Sequence, residues 1–196
     1  MPDTSKRFSA TQPSWHPLYA ELAMFLGDAF RPDWCTDRDE KVFDEVKRYP
    51  DASTFYRESD ILCYQGVGDF LHGWKRRYYA VLFQLGMGPL SILDYGCGTG
   101  HDGLSFLDYG YDVTFADYPG YPLEFCRWRV HHRAYDAPVM TLGVNDAVLP
   151  FSHVVWCMDV IEHLPPAQQA PLLDLLGTMG NVVMTNLIHD TRADGV

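Results

Sequence analysis

Apolar residues along this chain follow two different rhythms. Toward the N-terminus they recur at three- and four-residue intervals, as at Leu18, Leu22, Phe25 and Leu26, the spacing of a helix with one buried face. Pro32 ends that helix, and Thr36 can cap another from Asp37 to Arg48, with acidic residues in its first turn and Lys47 and Arg48 in its last, as the helix dipole favours. Residues 51–72 are less regular, with Gly66 and Gly68 among them, before a further helix predicted from Gly73 to Leu85. Beyond residue 88 the rhythm changes to short apolar runs. Strands are predicted at Ile92 and Leu93 closing on Asp94, at Tyr111 to Ala116, at Pro138 to Leu142, at Val154 to Met158 and at Val182 to Thr185. Helical segments separate several of them: His101 to Asp108, Leu123 to Ala134, and a leucine-rich stretch opened by Pro165 and Pro166. Strands alternating with helices predict an α/β fold with a Rossmann-like, doubly wound, mainly parallel sheet. The division follows the change of rhythm: residues 1–88 as an N-terminal helical lid and substrate segment, and 89–196 as the sheet core.

The chemistry concentrates after the first strand. Asp94-Tyr95-Gly96-Cys97-Gly98-Thr99-Gly100 places glycines at alternate positions ahead of a helix. Glycine lets the chain turn sharply and lets backbone approach a ligand closely, while the N–H groups opening the next helix face the same crevice. A dinucleotide loop wants Gly-x-Gly-x-x-Gly under a pyrophosphate. Here His101 stands where the third glycine belongs, and the Asp94 carboxylate would repel phosphate, so a cationic ligand suits the loop better. Asp117 follows Gly96 by 21 residues, about the spacing at which an acid on the second strand reaches ribose hydroxyls.

This combination resembles the first motif of class I S-adenosylmethionine-dependent methyltransferases. A second run, Asp159-Val160-Ile161-Glu162-His163-Leu164, resembles the motif after strand four in small-molecule members, including those of the ubiquinone and menaquinone pathways. The resemblance implies S-adenosylmethionine as cofactor. It assigns Asp94, Tyr95, Gly96, Cys97, Gly98 and Gly100 to its amino-acid end and Asp117 to the ribose. Tyr118 falls beside the adenine, Asn145 or Asp146 at the adenine amino group, and Asp159 near the methionine end. That family continues past strand five with a helix and two further strands, whereas only eleven residues follow Thr185 here. Strands six and seven are therefore expected to be missing or minimal, with the N-terminal segment, a second copy or a partner subunit covering the sheet edge.

Composition narrows the function classes. A formal net charge of −11 works against a long phosphate-backbone interface, so nucleic acid is not expected as a partner. The two basic clusters, Lys75-Arg76-Arg77 and Arg127 to Arg133, are expected to be solvated helix faces. No apolar run approaches the ~18 residues of a membrane span. Five scattered cysteines without Cys-x-x-Cys and a polar start point to a reduced, cytoplasmic setting.

Methyl transfer to an oxygen of a small molecule needs a base, and His163, with an unperturbed pKa near ~6.5, is the candidate. Residues 1–88 hold sixteen of the 28 aromatic residues, and of these Tyr56, Tyr64 and Tyr78 are expected to form the substrate wall. Asp159, Glu162 and His163 form an alternative divalent-metal cluster, like one in some quinone-pathway O-methyltransferases, though a metal is not the favoured expectation. The competing function is a catalytically inactive S-adenosylmethionine-binding partner subunit.

Overall fold

The computed structural model describes residues 16–36, 38–84, 90–143 and 148–186, without the side chains of residues 38 and 39. Five helices come first: α1 (Pro17–Leu26), α2 (Arg38–Val46), α3 (Ala52–Glu58), α4 (Ile61–His72) and α5 (Arg76–Gln84). The sheet half follows as β1 (Ser91–Tyr95), α6 (His101–Asp108), β2 (Asp112–Asp117), α7 (Tyr121–His132), β3 (Val139–Thr141), β4 (Ser152–Cys157), α8 (Pro166–Met179) and β5 (Gly180–Thr185). Among the described residues the strands form one parallel sheet in the order β3-β2-β1-β4-β5. The order reverses between β1 and β4, and such a switch opens a crevice beyond the carboxyl ends of the strands.

Strand alternation sets the two layers. Ile92, Val113, Phe115, Val154 and Trp156 join Leu104 and Phe106 on one face. Leu93, Tyr95, Ala116, Val155 and Cys157 face Leu172 and Leu176 of α8 on the other. The N-terminal helices build a third cluster around Leu22, Trp34, Tyr64 and Val67, and Phe125 of α7 is fully buried within it. Burying such a side chain contributes roughly 1.5–3 kcal/mol, enough to seat the helices firmly on α7.

Two expectations change. Residues 51–72 are not irregular but form α3 and α4, with Asp51 capping α3 through the Thr54 N–H at 2.8 Å. The glycines that obscured α4 serve packing: a Cβ on Gly66 would come within 2.6 Å of Thr99 Oγ1, so glycine there lets α4 lie directly on the loop after β1. The basic clusters are not uniformly solvated either. Arg129 is only 1% exposed, and Lys75 is mostly buried. Beyond Asn186 the chain lies outside the described residues, as do the expectations about strands six and seven. No helix among the described residues is long and apolar enough to cross a membrane.

Candidate functional site

The loop between β1 and α6 takes the shape its glycines allow. Gly96, Gly98 and Gly100 all have positive φ, at 71°, 53° and 75°. A Cβ on Gly96 would strike Val160 and one on Gly100 would strike Cys126, so these two glycines fit the loop to its neighbours. A Cβ on Gly98 would meet nothing within 4 Å. Gly98 thus sits with open space before it at the strand ends, where a ligand could lie against the backbone.

Asp117, at the tip of β2, braces this loop. Its Oδ2 accepts from Gly98 N at 2.6 Å and its Oδ1 from Tyr118 N at 2.6 Å. Burial raises its pKa to about 6, opposed by these two N–H donors. A carboxylate has about four acceptor positions, so hydroxyl donors can still be taken. Tyr118 is 60% exposed and, with Tyr95, Leu142, Leu149 and Met179, lines a cavity of about 430 Å³ beside the tips of β1 and β3. Asn145 and Asp146 lie outside the described residues.

Asp94 is buried where β1 meets α6, within reach of the charges of Asp102 and Lys75. It shares the face of Ile92, is 2% exposed, and accepts from Gly103 N at 3.0 Å, tying β1 to α6. Burial and the neighbouring Asp102 push its pKa well above the carboxylate range, against the pull of Lys75 and the Gly103 N–H. Cys97 is half-buried beside the same loop, and burial and Cys126 raise its thiol pKa.

Beyond β4, Asp159 adopts a left-handed φ of 59°. Asn186, just past β5, grips it twice: Asp159 N donates to Oδ1 at 2.7 Å, and Nδ2 donates to Asp159 Oδ1 at 2.7 Å. His163 ends the 3-10 turn Ile161–His163 and lies 3.3 Å from the Tyr56 hydroxyl through Nδ1. The backbone of α3 packs on Gly120, where a Cβ would come within 2.8 Å of Tyr56 O. Helix α3 therefore reaches from the segment after β2 to the turn after β4.

Of the three tyrosines expected to wall the substrate, Tyr56 alone meets His163. Tyr64 is fully buried in the helical cluster, where its hydroxyl accepts from Arg31 N at 2.7 Å. Tyr78 packs edge-on against Trp74 and receives a bond from Arg77 at 3.1 Å. Asp159 bonds to Asn186 and Lys75 while His163 meets Tyr56, and no group of three His, Cys, Asp or Glu side chains among the described residues is placed to hold a metal.

No family model matches the sequence, and no curated protein matches it. Solved structures do. Magnesium protoporphyrin IX methyltransferase (ChlM) from Synechocystis PCC 6803, crystallised with bound SAM, is 14% identical over 88% of this chain and 77% of its own, with a TM-score of 0.52. The PH0226 protein from Pyrococcus horikoshii OT3 is 13% identical over 76% of this chain, with a TM-score of 0.53. The chain has the class I methyltransferase fold. It spans 65% of PH0226 and 36% of TehB from Haemophilus influenzae, the latter at 20% identity over 55% of this chain and a TM-score of 0.44.

On this methyltransferase fold lie charged residues that the sequence reading missed. Asp102, in the first turn of α6, accepts from Lys75 Nζ and Trp156 Nε1, each at 3.0 Å, and from the Tyr79 hydroxyl. Lys75 Nζ also lies 3.2 Å from Asp159 Oδ2. Burial opposes charge on Lys75, yet the two carboxylates more than offset it and raise its pKa. Arg129 donates to the Thr99 carbonyl at 2.8 Å and to Glu21 at 2.9 Å, and Arg133 grips the same Glu21 at 2.8 and 2.9 Å. The glycine loop is thus held from behind by α1. Burial, together with the cations of Arg129, Arg133 and Lys75, depresses the pKa of His101, whose Nδ1 meets Thr99 Oγ1 at 2.6 Å. A hint was available in the placement of Asp102 directly before Gly103, a glycine needed because a Cβ there would strike Phe115.

Proposed function

We infer that the chain is an S-adenosylmethionine-dependent methyltransferase acting on a small molecule at an oxygen nucleophile. The observation that carries this reading is the open space before Gly98, whose N–H is bonded to the Asp117 carboxylate, with Asp159 following β4 one residue before Val160, which lies against Gly96. Backbone bare of side chains suits close contact with a nucleoside, and the two carboxylates suit its ribose and its ammonium.

The residues fit that cofactor. Asp117 would accept the ribose hydroxyls, being largely ionised at neutral pH with a pKa of about 6. Tyr118 would flank the adenine at the mouth of the neighbouring cavity. Asp159, turned and held by Asn186, would take the ammonium, while Asp94 supports the loop by tying β1 to α6. When bound, the cofactor supplies a methyl group activated by a sulfonium.

The chain's own part in the reaction is alignment and proton removal. Alignment of this kind lowers barriers by on the order of several kcal/mol. His163 would take the acceptor's proton. With the Nδ1 proton donated to the Tyr56 oxygen, Nε2 presents its lone pair to the acceptor. Burial and the Glu162 charge raise the Tyr56 pKa, which keeps that phenol protonated. Helix α3, which carries Tyr56, would screen the acceptor from water. A cytoplasmic location accords with five free cysteines, and a second subunit could pair with β5, which meets only β4 among the described residues.

Calorimetric titration with S-adenosylmethionine and with NAD tests the cofactor. Binding of the first alone is expected, and binding of NAD alone overturns the reading. Transfer of a labelled methyl group to a metabolite extract tests turnover. Cofactor binding with no transfer to any acceptor would instead mark an inactive partner subunit.

A further inference from the structure

The glycine loop carries a thiol that methyl transfer does not use, and the fold sets a second thiol beside it. The carbonyl of Cys97 accepts from Gly100 N at 2.8 Å. A turn closed in this way keeps its first and fourth residues within about 7 Å of each other. Cys126, on α7, lies against Gly100 from the other side, since its sulfur is the atom that a Cβ there would strike at 2.4 Å. Cys97 packs on the buried cluster that contains Cys126, and the two thiols are hydrogen-bonded. Both are free cysteines.

The two differ in freedom. Cys126 is fully buried on a helix that is held in place, with Phe125 in the N-terminal cluster and Arg129 bonded to Glu21 and to the Thr99 carbonyl. Cys97 is half-buried between two glycines at φ 71° and 53°, with open space before Gly98. A small oxidant therefore reaches Cys97 first, and Cys97 is the partner able to move. We propose that Cys97 and Cys126 form a reversible disulfide that withdraws the glycine loop from its ligand. With hydrogen peroxide as oxidant, the Cys97 sulfur attacks one peroxide oxygen, the O–O bond breaks, and a sulfenic acid and water result. The Cys126 sulfur then displaces the hydroxyl as a second water, so the thiols lose the two hydrogens and two electrons that the peroxide gains. A dithiol reductant reverses the bond by exchange. A disulfide sets its sulfurs about 2.0 Å apart, well inside the distance of two sulfurs in contact. Closing it draws Cys97 toward α7 and pulls Gly98 N away from Asp117 Oδ2, which it otherwise meets at 2.6 Å. Burial and the neighbouring Cys126 raise the Cys97 pKa, which keeps the thiol protonated and makes the pair slow to react, a response to sustained oxidation. A nucleoside lying on Gly98 would bar the oxidant, so ligand and crosslink exclude each other. That consequence rests on the cofactor reading above, whereas the crosslink itself does not.

The test treats the full chain with hydrogen peroxide, maps its unreduced peptides by mass spectrometry, and titrates S-adenosylmethionine by calorimetry before and after. The peptides of Cys97 and Cys126 are expected to be joined, and affinity to fall by at least about tenfold and return with dithiothreitol. Cys126→Ala should bind within about twofold of the reduced wild type and keep that affinity through peroxide treatment, and Cys126→Ser replaces it if the alanine variant does not fold. A loss in either variant as large as in the wild type would assign the effect to Cys97 oxidation alone and overturns the proposal. Absence of the joined peptides, or a crosslink between other cysteines in their place, overturns it as well. Joined peptides with unchanged affinity overturn the withdrawal of the loop while leaving the cofactor reading intact. Failure of the reduced wild type to bind the cofactor overturns that reading and the proposal together.

Discussion

Gly98→Ala separates a ligand-facing glycine from a merely conformational one. The new methyl group would meet nothing within 4 Å, so it brings no internal clash. What remains is the left-handed backbone at φ 53°, which for a residue with a Cβ costs about 1–2 kcal/mol. For a chain of this length that is a fall in Tm of about 2–8 °C, leaving a folded protein at 20 °C. If the open space is where the nucleoside lies, the same methyl group intrudes on it, and affinity for S-adenosylmethionine should fall by more than about tenfold, or ~1.4 kcal/mol. Gly96→Ala is the companion measurement, since its Cβ would strike Val160 and its loss should be mainly of stability. Thermal melting and calorimetric titration on both variants give the two numbers. An unchanged cofactor affinity in a folded Gly98→Ala protein would refute the reasoning, because the space would then be empty of ligand.

Other expectations follow from the charged groups. Glu21→Ala strands the buried Arg129 guanidinium, and breaking a buried pair from one side costs about 3–5 kcal/mol, read as a lowered urea midpoint; a loss under about 1 kcal/mol would show the clamp to be idle. Burial works against ionisation of Glu21, but its bonds and charges from Arg133 and Arg129 prevail and lower its pKa below 4.5. The clamp's stabilisation is therefore complete above that value and is lost as pH falls through the lower folded one, a loss that Glu21→Ala should remove from the acid-unfolding curve. Asp117 runs the other way: with its pKa raised from 3.8 to about 6, its ionised form is disfavoured in the fold, so the fold gains stability as pH falls from 6 toward 3.8. Cofactor affinity should nonetheless decline over that same window, because protonation removes an acceptor; Asp117→Ala should lose about tenfold at pH 7 and show a flat profile, and a sloping one would point to another group. His163→Ala should lower kcat with little change in cofactor Kd, and an unaffected rate would remove it as the base.

The sheet half was legible because its signals are local. Ile92 and Leu93 lead into glycines that the turn requires, and α6 begins and ends where its sequence predicts, at His101 and Asp108. Helix α4 was hidden because Gly66 lowers helical propensity for the sake of contact with Thr99, a partner 33 positions away that no local pattern reveals. The face on which Asp94 lies follows from alternation with Ile92, yet the consequence, a buried carboxylate bonded to Gly103, needed the position of α6. Lys75 and Arg129 looked like members of solvated basic runs. Each has its decisive partners far along the chain, Asp102 and Asp159 for one and Glu21 for the other, and charge alone does not say which lysine or arginine in a run turns inward.

The grip of Arg129 and Arg133 on Glu21 bears on how such proteins can be taken apart or recombined. Removing everything ahead of Leu90 would strip Arg129 of its counter-ion, and would bare Phe125 and Trp128 in the same stroke. An acceptor-binding module could then be grafted onto this scaffold only if the incoming segment delivered a carboxylate of its own to that spot.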